Sequence, residues 1–178
     1  MNRNILVLAY PGSGKTYIVE NYENVSDFEF QHYRYDYGKY KDLPIEQLKG
    51  RTEIRKPKQE WPSNFLKDLV KELNNNIIVM VPFSTTVFKL LPEIENDARI
   101  ILAIPSKEKF SQIIEIYKER NNSEEFIQRR MNDYNKHFEI IKKSKYEKVI
   151  IREDEYLFDS LVNLGLNFKK GKGRKNYI

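Results

Sequence analysis

Four apolar residues, Ile5-Leu6-Val7-Leu8, run straight into Ala9-Tyr10-Pro11-Gly12-Ser13-Gly14-Lys15-Thr16. No other segment limits the folding of this chain so tightly. A buried strand that stops at a glycine loop and restarts as a helix turns backbone N–H groups toward any anion held in the loop. The spacing is that of a phosphate-binding P-loop, with Ala9 where the usual pattern has its first glycine. Gly12 and Gly14 supply the backbone freedom such a loop needs. Lys15 would place a point charge on the β- and γ-phosphates, and the Thr16 hydroxyl would ligate Mg2+. The expected ligand is ATP or GTP with Mg2+, bound by Pro11, Gly12, Ser13, Gly14, Lys15, Thr16 and Tyr17.

A length of 178 residues suits one domain with a core of its own, spanning 1–178. Cysteine is absent, which excludes disulfides and thiolate metal sites. The two histidines, His32 and His137, are too few for a His-rich metal site. No run nears the roughly 20 apolar residues of a membrane helix. Residues 1–4 are short and polar, and 5–9 is too brief for the core of a secretory signal. The expectation is a cytoplasmic protein without membrane contact. The net charge is +5, and much of the excess lies in the tail 169–178, at Lys169, Lys170, Lys172, Arg174 and Lys175. Such a tail reads as a solvated terminus or, more sharply, as a weak nucleic-acid contact.

Strand-like and helix-like segments alternate. Strands are expected at 5–9, 25–28, 77–81, 99–104 and 148–151. The segment 16–24 can be helical. Phe65, Leu66, Leu69, Val70 and Leu73 give 61–73 a helical stripe, stopped by Asn74-Asn75-Asn76. Ser84 or Thr85 caps a helix to Leu91, closed by Pro92, and Ser106 caps another over 107–120. Ser123 opens a long helix with Glu124 and Glu125 in its first turn. Its expected buried stripe is Ile127, Met131, Tyr134, Phe138 and Ile141. Asp154 is expected to cap a short helix ending at Gly165. This order specifies an α/β chain with the three-layer P-loop NTPase fold: about five parallel strands, helices on both faces. The near-continuous apolar runs at 77–81 and 99–104 fit central strands. The exception to regularity is 29–60, rich in tyrosine and charge. It follows the second strand, at the carboxyl end where open α/β sheets bind ligands, so it is expected to cover the acceptor.

The P-loop and the run Arg120-Asn121-Asn122-Ser123-Glu124-Glu125-Phe126-Ile127-Gln128-Arg129-Arg130-Met131-Asn132-Asp133-Tyr134 resemble small P-loop kinases of the adenylate kinase-like group, which act on nucleosides and nucleotides. Adenylate kinases carry a comparable run after their lid: an arginine, acidic residues opening a helix, then arginine-leucine with a tyrosine three residues beyond. The resemblance implies that Arg120 and Arg130 clamp the transferring phosphoryl group. Trp61-Pro62-Ser63-Asn64-Phe65 and 106–134 also resemble uncharacterised P-loop proteins of bacteriophages and low-GC bacteria. Together these segments cover roughly half of the chain. The segment 106–123 is too short for a separate lid domain, so 106–144 is expected to be a plain helix hairpin.

Phosphoryl transfer rests on positioning and on positive charge at the equatorial oxygens. Lys15 and Mg2+ serve one side. Arginine suits the other, because its fork matches phosphate geometry. The short Asn121-Asn122-Ser123 joint brings Arg120 and Arg130 together, with Arg129 a lesser candidate. The bland alternative is that these arginines are solvated helix charges paired with nearby glutamates. Asp27, at the end of the second strand, is expected to orient an acceptor hydroxyl or a metal-bound water, or to accept the hydroxyl proton. Glu29 can share that face as a substrate contact. Both could equally be turn residues. Arg34, Arg51 and Arg55 are candidates to hold an acceptor phosphate. Tyr33, Tyr35, Tyr37 and Trp61 either stack on a base or pack in the core. One departure stands out: 77–81 runs into Pro82-Phe83-Ser84 instead of an acid, so Mg2+ would rest on Thr16, phosphates and waters, with Asp27 or Glu29. Three functions fit: a kinase moving the γ-phosphate to a nucleoside or nucleotide, a polynucleotide 5′-kinase, and a nucleotide-binding module that docks a partner without catalysis.

Overall fold

The first strand, β1 (Asn4–Ala9), is the middle strand of the sheet, and its last four residues are buried. The computed structural model describes residues 4–48, 52–75 and 78–171. After β1 come α1 (Lys15–Asn21), β2 (Val25–Asp27), α2 (Gln31–Arg34), β3 (Tyr35–Asp36), α3 (Ile45–Leu48), β4 (Lys56–Pro57) and α4 (Ser63–Asn75). Then follow β5 (Ile78–Pro82), α5 (Thr85–Ile94), β6 (Ala98–Pro105), α6 (Lys107–Glu119), α7 (Glu124–Lys143), β7 (Glu147–Ile151) and α8 (Leu157–Asn163). Five strands form one sheet in the order β2-β5-β1-β6-β7, and every pairing is parallel. Val7 lies in register with Met80 on one side and with Ile101 on the other.

Side chains of a strand alternate between faces, and β1 reads that rule directly. Leu6 and Leu8 pack with α4, α5, α6 and α7, while Val7 and Ala9 pack with α1 and α8. Helices therefore cover both faces of the sheet. The chain leaves β1 toward β2 and leaves β6 toward β7 in the opposite direction. The crevice between the carboxyl ends of β1 and β6 is thus the switch point of the sheet, where such folds bind ligands. Among the described residues, no helix is long and apolar enough to cross a membrane.

Several helix boundaries differ from the sequence reading, each for a physical reason. Proline 92 does not close α5, which runs through it to Ile94. A proline interrupts a helix by losing one N–H bond, and here burial of Leu91 and Ile94 outweighs that loss. Asp154 does not cap α8. The N-cap is Tyr156, and Asp159 folds back to accept its backbone N–H at 2.9 Å. Met131 is 46% exposed and off the buried stripe of α7, which holds Tyr134, His137 and Ile141. Continuing that 3-4 spacing backward places Arg130, not Met131, on the core side. The expected caps Ser84, Ser106 and Ser123 all accept the backbone N–H three residues on.

The insert 29–60 has more order than its composition implies. β3 and β4 pair antiparallel, Tyr35 with Pro57 and Asp36 with Lys56, and Gly38–Tyr40 is a single 3-10 turn. An aromatic cluster anchors it: Phe28, Phe30, Tyr33 and Trp61 all lie within 6.3 Å of the Phe65 ring, centroid to centroid. Tyr33 and Trp61 thus belong to packing. Phe65 is fully buried on α4 and joins the insert to the sheet. Replacing Phe65 with alanine is expected to cost about 3–5 kcal/mol, read as a lower denaturant midpoint. A loss under about 1 kcal/mol would show that the cluster is not what holds the insert.

Candidate functional site

Both neighbours of β1 tether the start of the 9–16 loop. The Tyr10 N–H donates to the Ala103 carbonyl at 2.9 Å, and the Phe83 N–H to the Ala9 carbonyl at 2.8 Å. The chain then turns sharply. Gly12 has φ +84° and Gly14 φ +101°, a region L side chains rarely enter. Gly12 is needed for a second reason. A Cβ there would lie 2.8 Å from the Tyr117 hydroxyl and 2.9 Å from Ile113 Cγ2. Helix α6 approaches the loop closely enough that only glycine fits.

Lys15 opens α1 and reaches toward β2. Its ammonium bonds to Asp27 and, at 2.9 Å, to Glu29 Oε1. Two unit charges 4 Å apart attract by about 4 kcal/mol at an effective dielectric of about 20. The Lys15 side chain is only 13% exposed, so the pair is more than surface decoration. Asp27 ends β2, in register with Met80 of β5, and Glu29 follows two residues later.

The carboxylates beside the loop come from the end of β2 and the residues just after it, not from β5. Strand β5 ends in Pro82, and the Ser84 hydroxyl that follows is spent capping α5. Thr16 is exposed at the mouth of the loop, beside the Lys15–Asp27–Glu29 group. Hard oxygen ligands of this kind fit Mg2+. Yet among the described residues no group of three or more His, Cys, Asp or Glu could hold a metal by itself.

The opposite wall is the α6–α7 hairpin. Asn121 makes its joint, at φ +54°, a left-handed conformation asparagine tolerates. The Tyr117 hydroxyl donates to the Pro11 carbonyl at 2.8 Å, and the Tyr117 ring stands edge-on to Phe126 at 5.3 Å. The Arg130 guanidinium lies 5.0 Å from the centre of the same Phe126 ring. Burial raises the Tyr117 pKa, and the positive charges of Arg130 and Arg120 both oppose that rise. Arg130 meets the wall through Phe126, the ring that packs on Tyr117. Arg120 is exposed at the end of α6, and Arg129 is exposed 5.8 Å from Phe126.

Beneath this wall lies a layer of buried polar atoms without hydrogen-bond partners: Tyr10 Oη, Ser13 Oγ, Arg130 Nε and His137 Nδ1. Burial raises the Tyr10 pKa, with Arg130 opposing it. Tyr10 and His137 contact edge-on at 6.2 Å. Each unsatisfied buried group costs about 1–3 kcal/mol, so the loop and α7 meet at a place that is not optimised for stability.

The remaining candidates are placed elsewhere. Arg34 and Arg55 lie 5.0 Å and 4.3 Å from the centre of the Tyr35 ring, and Arg55 also bonds to Tyr37. These contacts stay within the insert. Arg51 lies outside the described residues. Tyr37 is buried. Tyr17 is 57% exposed and meets Phe158 of α8 edge-on. Of the basic tail, Lys170 bridges to Tyr22 and the Lys169 N–H donates to Asn24, while 172–178 lie outside the described residues.

Sequence reasoning missed Tyr117 and Tyr10. Tyr117 falls on the apolar stripe of α6 with Ile113 and Ile114, where a tyrosine reads as core. The available signal was its hydroxyl, since a polar tip on a buried stripe requires a partner. Neither a protein-family model nor a curated protein matches this chain in sequence.

Tyr117→Phe should lower stability by about 1–2 kcal/mol and speed amide exchange in the loop, because the Pro11 carbonyl loses its donor. Unchanged exchange over 10–14 would show that the bond does not fix the loop. A second expectation concerns acid. Burial lowers the His137 pKa below its ordinary 6.5, with Asp133 opposing and Arg130 and Lys136 reinforcing. The folded form therefore binds fewer protons than the unfolded chain. The stability this represents is complete above 6.5 and is lost as pH falls through that value toward the lower folded pKa. Melting temperatures measured from about pH 7.5 to 5 should fall in the parent and stay flatter in His137→Gln. Glu95 and Glu147, whose pKa values are lowered by Lys145 and Arg99, act only below 4.5 and do not blur this window.

Proposed function

We propose that this chain is a P-loop phosphotransferase, which binds ATP or GTP with Mg2+ and moves the γ-phosphoryl group to a nucleoside or nucleotide. One observation carries the reading. On the 9–16 loop, a lysine shared by two carboxylates stands on one side, and Tyr117, bonded to Pro11 and packed on the Phe126 ring that Arg130 faces, stands on the other. A purely structural β–α turn needs neither. Triphosphate oxygens carry several negative charges and would draw the Lys15 ammonium from Asp27 and Glu29, since each contact at about 4 Å competes on equal terms. Mg2+, held by Thr16 and the phosphates near those carboxylates, would neutralise charge as the β–γ bridge breaks. Arg130 and Arg120 would add charge that matters most in the transition state, where arginine is worth about 10³-fold or more. The loop supplies position and the chain does no covalent work of its own.

The lack of an acid at the end of β5 is the argument for the competing reading, a nucleotide-binding module without catalysis. Asp27 at the end of β2 and Glu29 just after it support the catalytic reading, because both lie within ion-pair distance of the loop lysine. Titration calorimetry and a coupled phosphotransfer assay separate the two. Lys15→Ala should abolish triphosphate binding or turnover. Arg130→Ala should keep binding and lower kcat by about 10²-fold or more. Tight binding with no transfer in the parent protein would favour the module. Parental turnover in both variants would remove Lys15 and Arg130 from the reaction, and absence of both binding and transfer in the parent would rule out the reading altogether.

A further inference from the structure

We infer that the seam between the loop and α7 is an oxyanion subsite, in which the Tyr10 hydroxyl, Arg130 Nε and His137 Nδ1 take the oxygens of a phosphate group; for the source of that phosphate this rests on the phosphotransfer reading above. All three atoms are buried and none has a hydrogen-bond partner. Tyr10 is 1% exposed and His137 8%, so neither is solvated from the surface. The two rings meet edge-on at 6.2 Å. Phe110 and Tyr134 pack on Tyr10, and Phe83 packs on His137. Buried polar groups in folded proteins nearly always have partners, and an open one calls for a bound water, ion or ligand.

The donor set decides the class of occupant. A guanidinium only donates, and a tyrosine hydroxyl and an imidazole N–H can donate to the same group. The Arg130 charge is felt at both the Tyr10 hydroxyl and the His137 ring, and Lys136 adds to it at His137. Asp133, half-buried on the same helix, acts on both in the opposite sense. Yet among the described residues no carboxylate lies within ion-pair distance of Arg130. The two neighbouring hydroxyls are already committed, Tyr134 to the Pro105 carbonyl and Tyr117 to the Pro11 carbonyl. Phosphate oxygens supply both the missing acceptors and the missing negative charge, and hydrogen bonds to such an ion are the strong ones. A neutral base or sugar supplies no charge.

The seam lies on the face of β1 opposite α1. Tyr10 packs with Leu6 and Leu8, whereas Ile18 of α1 packs with Val7 and Ala9. Lys15 and Thr16 therefore serve one side of the loop, and the seam serves the other. Phe83, 5.1 Å from the His137 ring, directly follows β5, so the seam also stands at the strand end that carries no acid. Arg130 is only half-buried and provides the way in. Two phosphates suit this position: the γ-phosphate of a triphosphate in the loop, and a phosphate carried by the acceptor.

The chain has two histidines, so imidazole NMR signals report the seam through His137, with His32 of the insert as the internal control. The full chain is titrated with pH alone, with inorganic phosphate, with a non-hydrolysable ATP analogue and Mg2+, and with that analogue plus a nucleoside monophosphate. Calorimetry follows binding in the same arms. Burial holds the His137 midpoint below 6.5 in the free protein. It should rise by about 1 or more when a phosphate fills the seam, while His32 stays where it was. A rise with the analogue alone identifies the γ-phosphate as the occupant, and a rise only after the monophosphate is added identifies the acceptor's. Tyr10→Phe should weaken binding of that phosphate by about 10-fold and leave Tm equal or higher, because it deletes a buried hydroxyl that has no partner. A hydroxyl that serves structure alone would instead lower Tm and leave affinity at the parental value, which would overturn the inference. Binding of the analogue with the His137 midpoint unmoved in every arm would also overturn it, leaving at most a water in the seam and the phosphotransfer reading intact. A rise with inorganic phosphate and no binding of the analogue would keep the subsite and remove the phosphotransfer reading. No binding and no rise in any arm would remove both.

Discussion

An ammonium group held between two carboxylates sets the charge balance of the loop between β1 and α1. Lys15 cannot sit there uncompensated, because its side chain is largely removed from water. The chain answers by ending β2 beside it and placing Asp27 and Glu29 within contact. This couples two parts of the sheet. Strand β1 delivers the lysine, and β2 delivers the acids only because β5 spaces it correctly, Asp27 beside Met80 and Val7 beside Met80. On the proposed function, an anion in the loop would compete with Asp27 and Glu29 for the same ammonium.

Tyr117 plays the matching part on the other wall. Its ring fills the space a Cβ on Gly12 would take, and its hydroxyl fixes Pro11. Through Phe126 it also meets the residue over which Arg130 is laid. Around that bond, Tyr10 packs edge-on against Phe110, Tyr134 and His137. The stacked rings of Phe110 and Tyr134, 4.0 Å apart, and the Tyr134 hydroxyl on the Pro105 carbonyl keep α6 and α7 in place around it.

Sequence made β1, β5 and β6 legible because each holds a run of apolar residues, and the loop legible because its glycines sit at fixed offsets. Serine caps at 84, 106 and 123 were readable because each precedes an apolar period. Two misreadings share a cause, since tertiary burial overrides the local rule at Pro92 and Met131: Ile94 carries α5 past its proline, and Arg130 rather than Met131 lies on the core side of α7. At α8 a local contact decides instead, the capping box of Tyr156 with Asp159. The insert was opaque because its order comes from long-range aromatic contacts to Phe65, which no local period records. The joining of Tyr117 to Pro11 spans 106 positions and was equally out of reach.

The claim on which the rest depends is that the backbone of the 9–16 loop surrounds phosphates. Amide hydrogen exchange with and without a non-hydrolysable ATP analogue and Mg2+ reads that backbone directly. The account requires marked slowing across 9–17, with a smaller change at 117–130 where Tyr117 and Arg130 meet the loop. Unaltered exchange over 9–17 at saturating analogue would contradict it.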